Sequence, residues 1–159
     1  GRIEEAEQAF MRVLAEDPFN LQALNIVALA SLRLGQLHRA RELLGRAISV
    51  SPDHAASHHH LGRAAELMGD LAAARASYER ATQLGTGLPA ARLHLAAVLE
   101  QQGENHAALV QYARVMSDMQ SQGKWVDGPV YDKANGRVDG RPKDFSPQAG
   151  HSVILDRMK

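Results

Sequence analysis

The sequence predicts an all-α solenoid, a series of stacked helix pairs sharing one continuous core. Two observations carry that prediction. The first is a constant stride: Gly1, Gly35, Gly69 and Gly103, then Ala6, Ala40, Ala74 and Ala108, then Phe10, Leu44, Tyr78 and Tyr112, recur at one and the same interval. A unit of that length is one helix-turn-helix that cannot bury its own apolar faces without neighbours. The second is that apolar residues within each unit fall three and four apart, the spacing of one helix face, and glycine or proline interrupts them between helices.

Taken in order, Ile3, Ala6, Phe10, Val13 and Leu14 form a first helical stripe that stops at Asp17-Pro18, because proline disfavours helix in the residue before it. Leu21, Leu24, Val27, Ala28 and Leu32 form a second, closed by Gly35, a residue suited to the left-handed turn that ends helices. Leu37, Ala40, Leu43, Leu44, Ala47 and Ile48 form a third, broken by Ser51-Pro52-Asp53. The pattern returns from Ala55 to Met68, Leu71 to Leu84, Ala90 to Gln101 and about Ala107 to Gln120, which predicts seven helices. Connections of a few residues force neighbouring helices to run antiparallel.

Composition narrows the function. Lys plus Arg equal Asp plus Glu at 18 each, so the chain lacks the basic footprint that a phosphate backbone requires, and nucleic acid is not an expected partner. No apolar run is long enough to span a membrane. The absence of cysteine removes disulfides and thiolate chemistry. Gly1 is not an initiator methionine and no leader-like segment follows it, so the sequence reads as a fragment, with the cytoplasm as its expected compartment.

These residues resemble the tetratricopeptide repeat family, whose unit is two helices in about 34 residues with small side chains where they cross. The repeat from Ala55 carries the likeness best: Leu61-Gly62 in its first helix, Gly69 in the turn, and Ala74, Tyr78 and Ala81 in the second. Ala28 and Ala96 take the place of Gly62 in the adjacent repeats. The likeness covers residues 1–121, a half repeat followed by three full ones, and implies a right-handed superhelix that acts as a protein-interaction scaffold and adaptor. Two departures stand out: Gly85-Thr86-Gly87-Leu88-Pro89 replaces the expected proline break, and the chain opens on a second helix. That orphan helix leaves an edge uncovered at Ala6 and Phe10, the positions expected to support self-association, with a homodimer through this helix or the tail as one outcome.

In similar repeat proteins the inner face of the first helices holds an extended peptide or a partner helix. His58, Leu61, Gly62 and Ala65 read as the core stripe of the helix from Ala55, which leaves Ala56, His59, Arg63 and Glu66 on another face. The corresponding residues one repeat earlier and later complete a candidate groove of Asn25, Leu29, His59, Arg63, Glu66, Leu93, His94, Ala97 and Glu100. The chaperone-binding branch of the family clamps a terminal carboxylate with lysines and asparagine; Asn25 is present but matching lysines are not. Arg63 is the one groove residue suited to bidentate pairing with a partner carboxylate.

His54, His58, His59 and His60 crowd one helix start, and His94 lies one full period after His60. His54 and His58 have the spacing of helical metal ligands, but the sequence supplies no converging third or fourth ligand, so no metal site is expected. His58 is expected in the core, and His59, His60 and His94 on or beside the groove, where titration near the usual value of about 6.5 would make partner affinity pH-dependent.

No phosphate-binding loop, nucleophile elbow, zincin or EF-hand motif is present, so catalysis and cofactors are not expected. Residues 122–159 change character: glycine and proline replace the helical stripe, with a short hairpin expected over 130–139 about Asn135-Gly136 and an apolar stretch at Val153-Ile154-Leu155. Gln120 to Trp125 resembles the junction after the repeats in bacterial aspartyl/asparaginyl hydroxylase-like oxygenases. That implies an alternative, a noncatalytic accessory region of a larger enzyme.

Overall fold

The fold is described here from a computed structural model, which describes residues 2–85, 89–121, 130–132 and 137–139. Among them are seven helices: α1 Arg2–Glu16, α2 Leu21–Arg33, α3 Leu37–Val50, α4 Ala55–Leu67, α5 Leu71–Leu84, α6 Pro89–Gln101 and α7 Asn105–Ser121. Each packs against its predecessor, and α2 also meets α4 as α4 meets α6. The first helices of successive repeats therefore stand side by side in an all-α solenoid. Among the described residues, no helix is long and apolar enough to cross a membrane.

Each turn inside a repeat is built the same way. Gly35, Gly69 and Gly103 have φ of 73°, 80° and 81°, a region that costs a side-chain-bearing residue steric strain. The residue after each glycine donates its N–H to a carbonyl one helical turn back: Gln36 to Ser31, Asp70 to Ala65 and Glu104 to Leu99, at 2.8 to 2.9 Å. The starts of α2 and α5 are capped by side chains, Asn20 accepting from the Ala23 N–H and Asp70 from the Ala73 N–H, both at 3.0 Å. Pro89 opens α6, where its missing N–H removes no helical bond.

The core forms where the period places small residues. Ala28, Ala40, Ala74 and Ala96 have no exposed surface, nor do Leu44 and Tyr78. One cluster fills the space among α1 to α4, from Leu14 through Leu24, Val27 and Leu44 to Ala64; a second joins α4 to α7 through Ala65, Tyr78, Leu95, Leu99 and Ala108. Two arginines in equivalent positions of α3 and α5 then pin the inter-repeat loops: Arg46 Nη2 donates to the Pro18 carbonyl at 2.6 Å and Arg80 Nη2 to Asp53 Oδ1 at 3.0 Å.

Two expectations from periodicity change. Phe10 is not left open on α1; it is partly buried and packs against the first cluster, because α2 covers that side of the helix. Ala6 is exposed as expected, with Met11 and Val13. His58 does not fill the core of α4. Ser57, Gly62, Ala64 and Ala65 do, while the His58 ring turns outward and places Nε2 2.8 Å from the Pro52 carbonyl.

Val130–Asp132 (β1) and Arg137–Asp139 (β2) pair antiparallel, with Tyr131 opposite Val138. The Asn135-Gly136 turn and Val153-Ile154-Leu155 lie outside the described residues. So do Gln122 to Trp125 of the hydroxylase-like junction and the Thr86-Gly87-Leu88 break.

Candidate functional site

The face shared by α2, α4 and α6 has two centres, and both are built from residues of different repeats. At the first, Asn25 of α2 meets Ser57 of α4. Asn25 Nδ2 donates to the Leu21 carbonyl at 2.9 Å, which leaves its Oδ1 to accept from Ser57 Oγ, also at 2.9 Å. Ser57 is fully buried, and His54 Nδ1 lies 2.7 Å from the same hydroxyl. A serine hydroxyl has one proton to give, so with that proton on Asn25 the close contact requires an Nδ1–H on His54, an assignment made by counting donors. The competing approach of the Ser57 N–H to Nδ1 is longer, at 3.3 Å. Asn25 is therefore a strut between two repeats, and both ends of its amide are in use.

The second centre lies among α4, α5 and α6. Tyr78 rises from α5 against Gly62, and its hydroxyl donates to Glu66 Oε2 at 2.6 Å. Glu66 Oε2 is also 3.3 Å from His94 Nδ1 on α6, an ion pair when that ring is protonated. The His94 ring stacks on Tyr78 with centroids 5.3 Å apart and planes 13° apart. His59 completes the array, its centroid 5.9 Å from Tyr78, 5.5 Å from His94 and 5.3 Å from His60.

Burial dominates the electrostatics here. It pushes the Tyr78 phenol well above its ordinary value, and the hydrogen bond to Glu66 adds to the effect. Burial also tends to raise Glu66, but the hydrogen bonds from His94 and Tyr78 outweigh it and leave the carboxyl below its usual range. His59 is lowered to about 4, first by burial and then by His60, His94 and Arg63, with Glu66 opposing. His60 is lowered by burial, Arg63 and His54. His59 Nε2 and His60 Nδ1 are buried without a hydrogen-bond partner, as befits neutral rings.

Of the groove residues expected from sequence, the fold brings His59, Arg63, Glu66 and His94 together. Asn25 stands at the other centre, and Leu29, Leu93, Ala97 and Glu100 are partly exposed on α2 and α6. Arg63 is partly exposed too and makes no hydrogen bond or ion pair among the described residues, although its charge acts on His59, His60 and Glu66. Sequence reasoning missed Tyr78 as a member of this site and Ser57 as the partner of Asn25. A signal for the first was present: Glu66 and Tyr78 recur one period on as Glu100 and Tyr112. His54 and His58 are committed to Ser57 and Pro52, and among the described residues no three His, Asp or Glu side chains could hold a metal ion.

Comparison with known proteins agrees with this architecture. A MamA crystal structure superposes with a TM-score of 0.72 over 79% of this chain and 73% of that one at 20% identity. A double mutant of MamA from RS-1 gives 0.71 over 77% and 68% at 21% identity. MamA from Desulfovibrio magneticus RS-1, residue 41 to its end, gives 0.70 over 77% and 69% at 21% identity. Similarity at this level speaks to the fold. No curated protein matches the sequence. The tetratricopeptide repeat model matches residues 1–44 and 28–89, more than half of the chain. With the constant stride and the stacked helix pairs, this match establishes that the chain belongs to the tetratricopeptide repeat family.

Proposed function

We propose that this scaffold binds an extended peptide or a partner helix along the face of α2, α4 and α6, with Arg63 as its polar anchor. Protein interaction in general follows from the family, whose members are typically noncatalytic. The observation that carries the finer reading is the unequal treatment of two neighbouring charges on α4. Glu66 is engaged by Tyr78 and His94, whereas Arg63, one turn away, has neither a hydrogen bond nor an ion pair among the described residues. A guanidinium so placed presents a fork of donors to a carboxylate arriving from outside. Leu29, Leu93 and Ala97 supply apolar contact on either side.

Photo-crosslinking tests the location. A crosslinking residue at Leu93 should capture peptides selected from a random library, and one at the exposed Arg41 of α3 should not. Arg63→Ala combined with His59→Ala should then weaken the selected peptide at least tenfold, about 1.4 kcal/mol or more. Capture from Arg41 alone, or affinity untouched by the double substitution, would place binding elsewhere.

A further inference from the structure

We propose that the junction of α4 with α6 is an acid-released latch: a proton taken up at His59 separates the second full repeat from the third and widens the face between them. The rings of His59 and His60 on α4, Tyr78 on α5 and His94 on α6 form one contiguous array, and the Tyr78 hydroxyl and His94 both close on Glu66. These side chains link three helices, and α6 meets α4 here. His59 stands in the middle with its Nε2 buried and without a hydrogen-bond partner, so a proton placed on that nitrogen finds no acceptor in the closed array.

The groups that act on the charge of His59 are His60, Arg63 and Glu66 from its own helix and His94 from α6; Tyr78 on α5 faces it as a neutral phenol. Among the described residues, the charges that shift it belong to α4 and α6. Glu66 is the lone anion of this set, and its Oε2 already faces the Tyr78 hydroxyl and His94. A proton on His59 would therefore add a cation beside Arg63 and the two other imidazoles, at a place where desolvation is already unfavourable. Moving α6 away with His94 relieves the repulsion and admits water to Nε2. Moving His60 or Arg63 does not, because they share a helix with His59. A proton on His94 acts in the opposite sense, pairing with Glu66 and drawing α6 onto α4.

The latch bears on the proposed binding face, but its test needs no ligand. The chain has no cysteine, so Gln22→Cys and Ala90→Cys place spin labels at two exposed sites, on α2 and just inside α6. Double electron–electron resonance should give a constant separation from about pH 7.5 to about pH 6, then a longer and broader distribution toward about pH 4, with far-UV helicity retained. His59→Asn, which copies the residue at Asn25 one repeat earlier, should remove the transition, and His59→Gln should do the same if the first variant folds poorly. His94→Gln should shrink the acid lengthening, because it removes the one α6 group whose charge acts on His59. A separation that does not respond to pH, or one that lengthens equally in the His59 variants, would overturn the latch. Failure of peptide capture at Leu93 would leave it intact.

Discussion

The ring of Tyr78 lies directly on the backbone of Gly62: a Cβ built at Gly62 would stand 2.6 Å from Cδ1 and Cε1 of the ring and 3.0 Å from Cγ. Glycine in mid-helix is unfavourable by about 1 kcal/mol relative to alanine, so its presence reflects the space that Tyr78 occupies. That approach sets the spacing of α4 and α5 and carries the phenol to Glu66.

Gly62→Ala should therefore destabilise the protein by about 1 to 3 kcal/mol despite alanine's better helix propensity, because the buried ring has no free volume to enter. Adding Tyr78→Leu should restore part of the loss, since it reproduces the Ala28 and Leu44 pair of the preceding repeat, both fully buried. Urea unfolding of the two variants checks this, and an unchanged midpoint for Gly62→Ala would mean that the helices are not held at this distance.

Tyr78→Phe removes only the hydroxyl. It should cost about 1 to 2 kcal/mol by taking one donor from a partly buried carboxylate. It should also raise the Glu66 pKa, which that hydrogen bond helps to lower. Carbon-detected NMR titration of the Glu66 carboxyl reads the second effect directly.

Asn25 and Ser57 should behave as one unit. Asn25→Ala leaves the buried Ser57 hydroxyl without its acceptor, and Ser57→Ala leaves Asn25 Oδ1 without its donor. Each should cost about 1 to 2 kcal/mol. In a double-mutant cycle the pair should couple by at least about 0.5 kcal/mol. Additive losses would show that the contact between repeats contributes nothing of its own.

Acid should weaken the fold before carboxylates as a class are protonated. The His59 ring takes its proton near 6.5 in the unfolded chain and near 4 in the folded one, so between those values the unfolded state binds more protons and stability falls as pH falls. After allowance for solvent screening of a partly exposed ring, the loss over this window is about 1 to 2 kcal/mol. His60 acts in the same direction. Glu66, with its folded value depressed, adds a contribution that is complete above its ordinary value and lost as pH drops through the folded one. Denaturant midpoints at about pH 7 and about pH 4.5 should differ less for His59→Asn than for the parent. The pH sensitivity expected near 6.5 from the sequence thus moves toward acid for His59 and His60, because that reading did not account for their burial.

Period and breakers by themselves determined the helices, their order and the small residues at their crossings. Gly35, Gly69 and Gly103 could end helices only one way, and Ala40, Ala74 and Ala108 recur because two backbones approach there. Such properties are local or repeat at fixed intervals, so one chain of letters displays them. What the letters could not display is which polar ends are used up. Asn25 looked available for a guest until Ser57, a residue of the next repeat, took its oxygen. Glu66 read as one more groove residue until Tyr78 and His94 arrived from two other helices. Hydrogen bonding and desolvation depend on neighbours distant in sequence, and only the stacking of the repeats decides who those neighbours are.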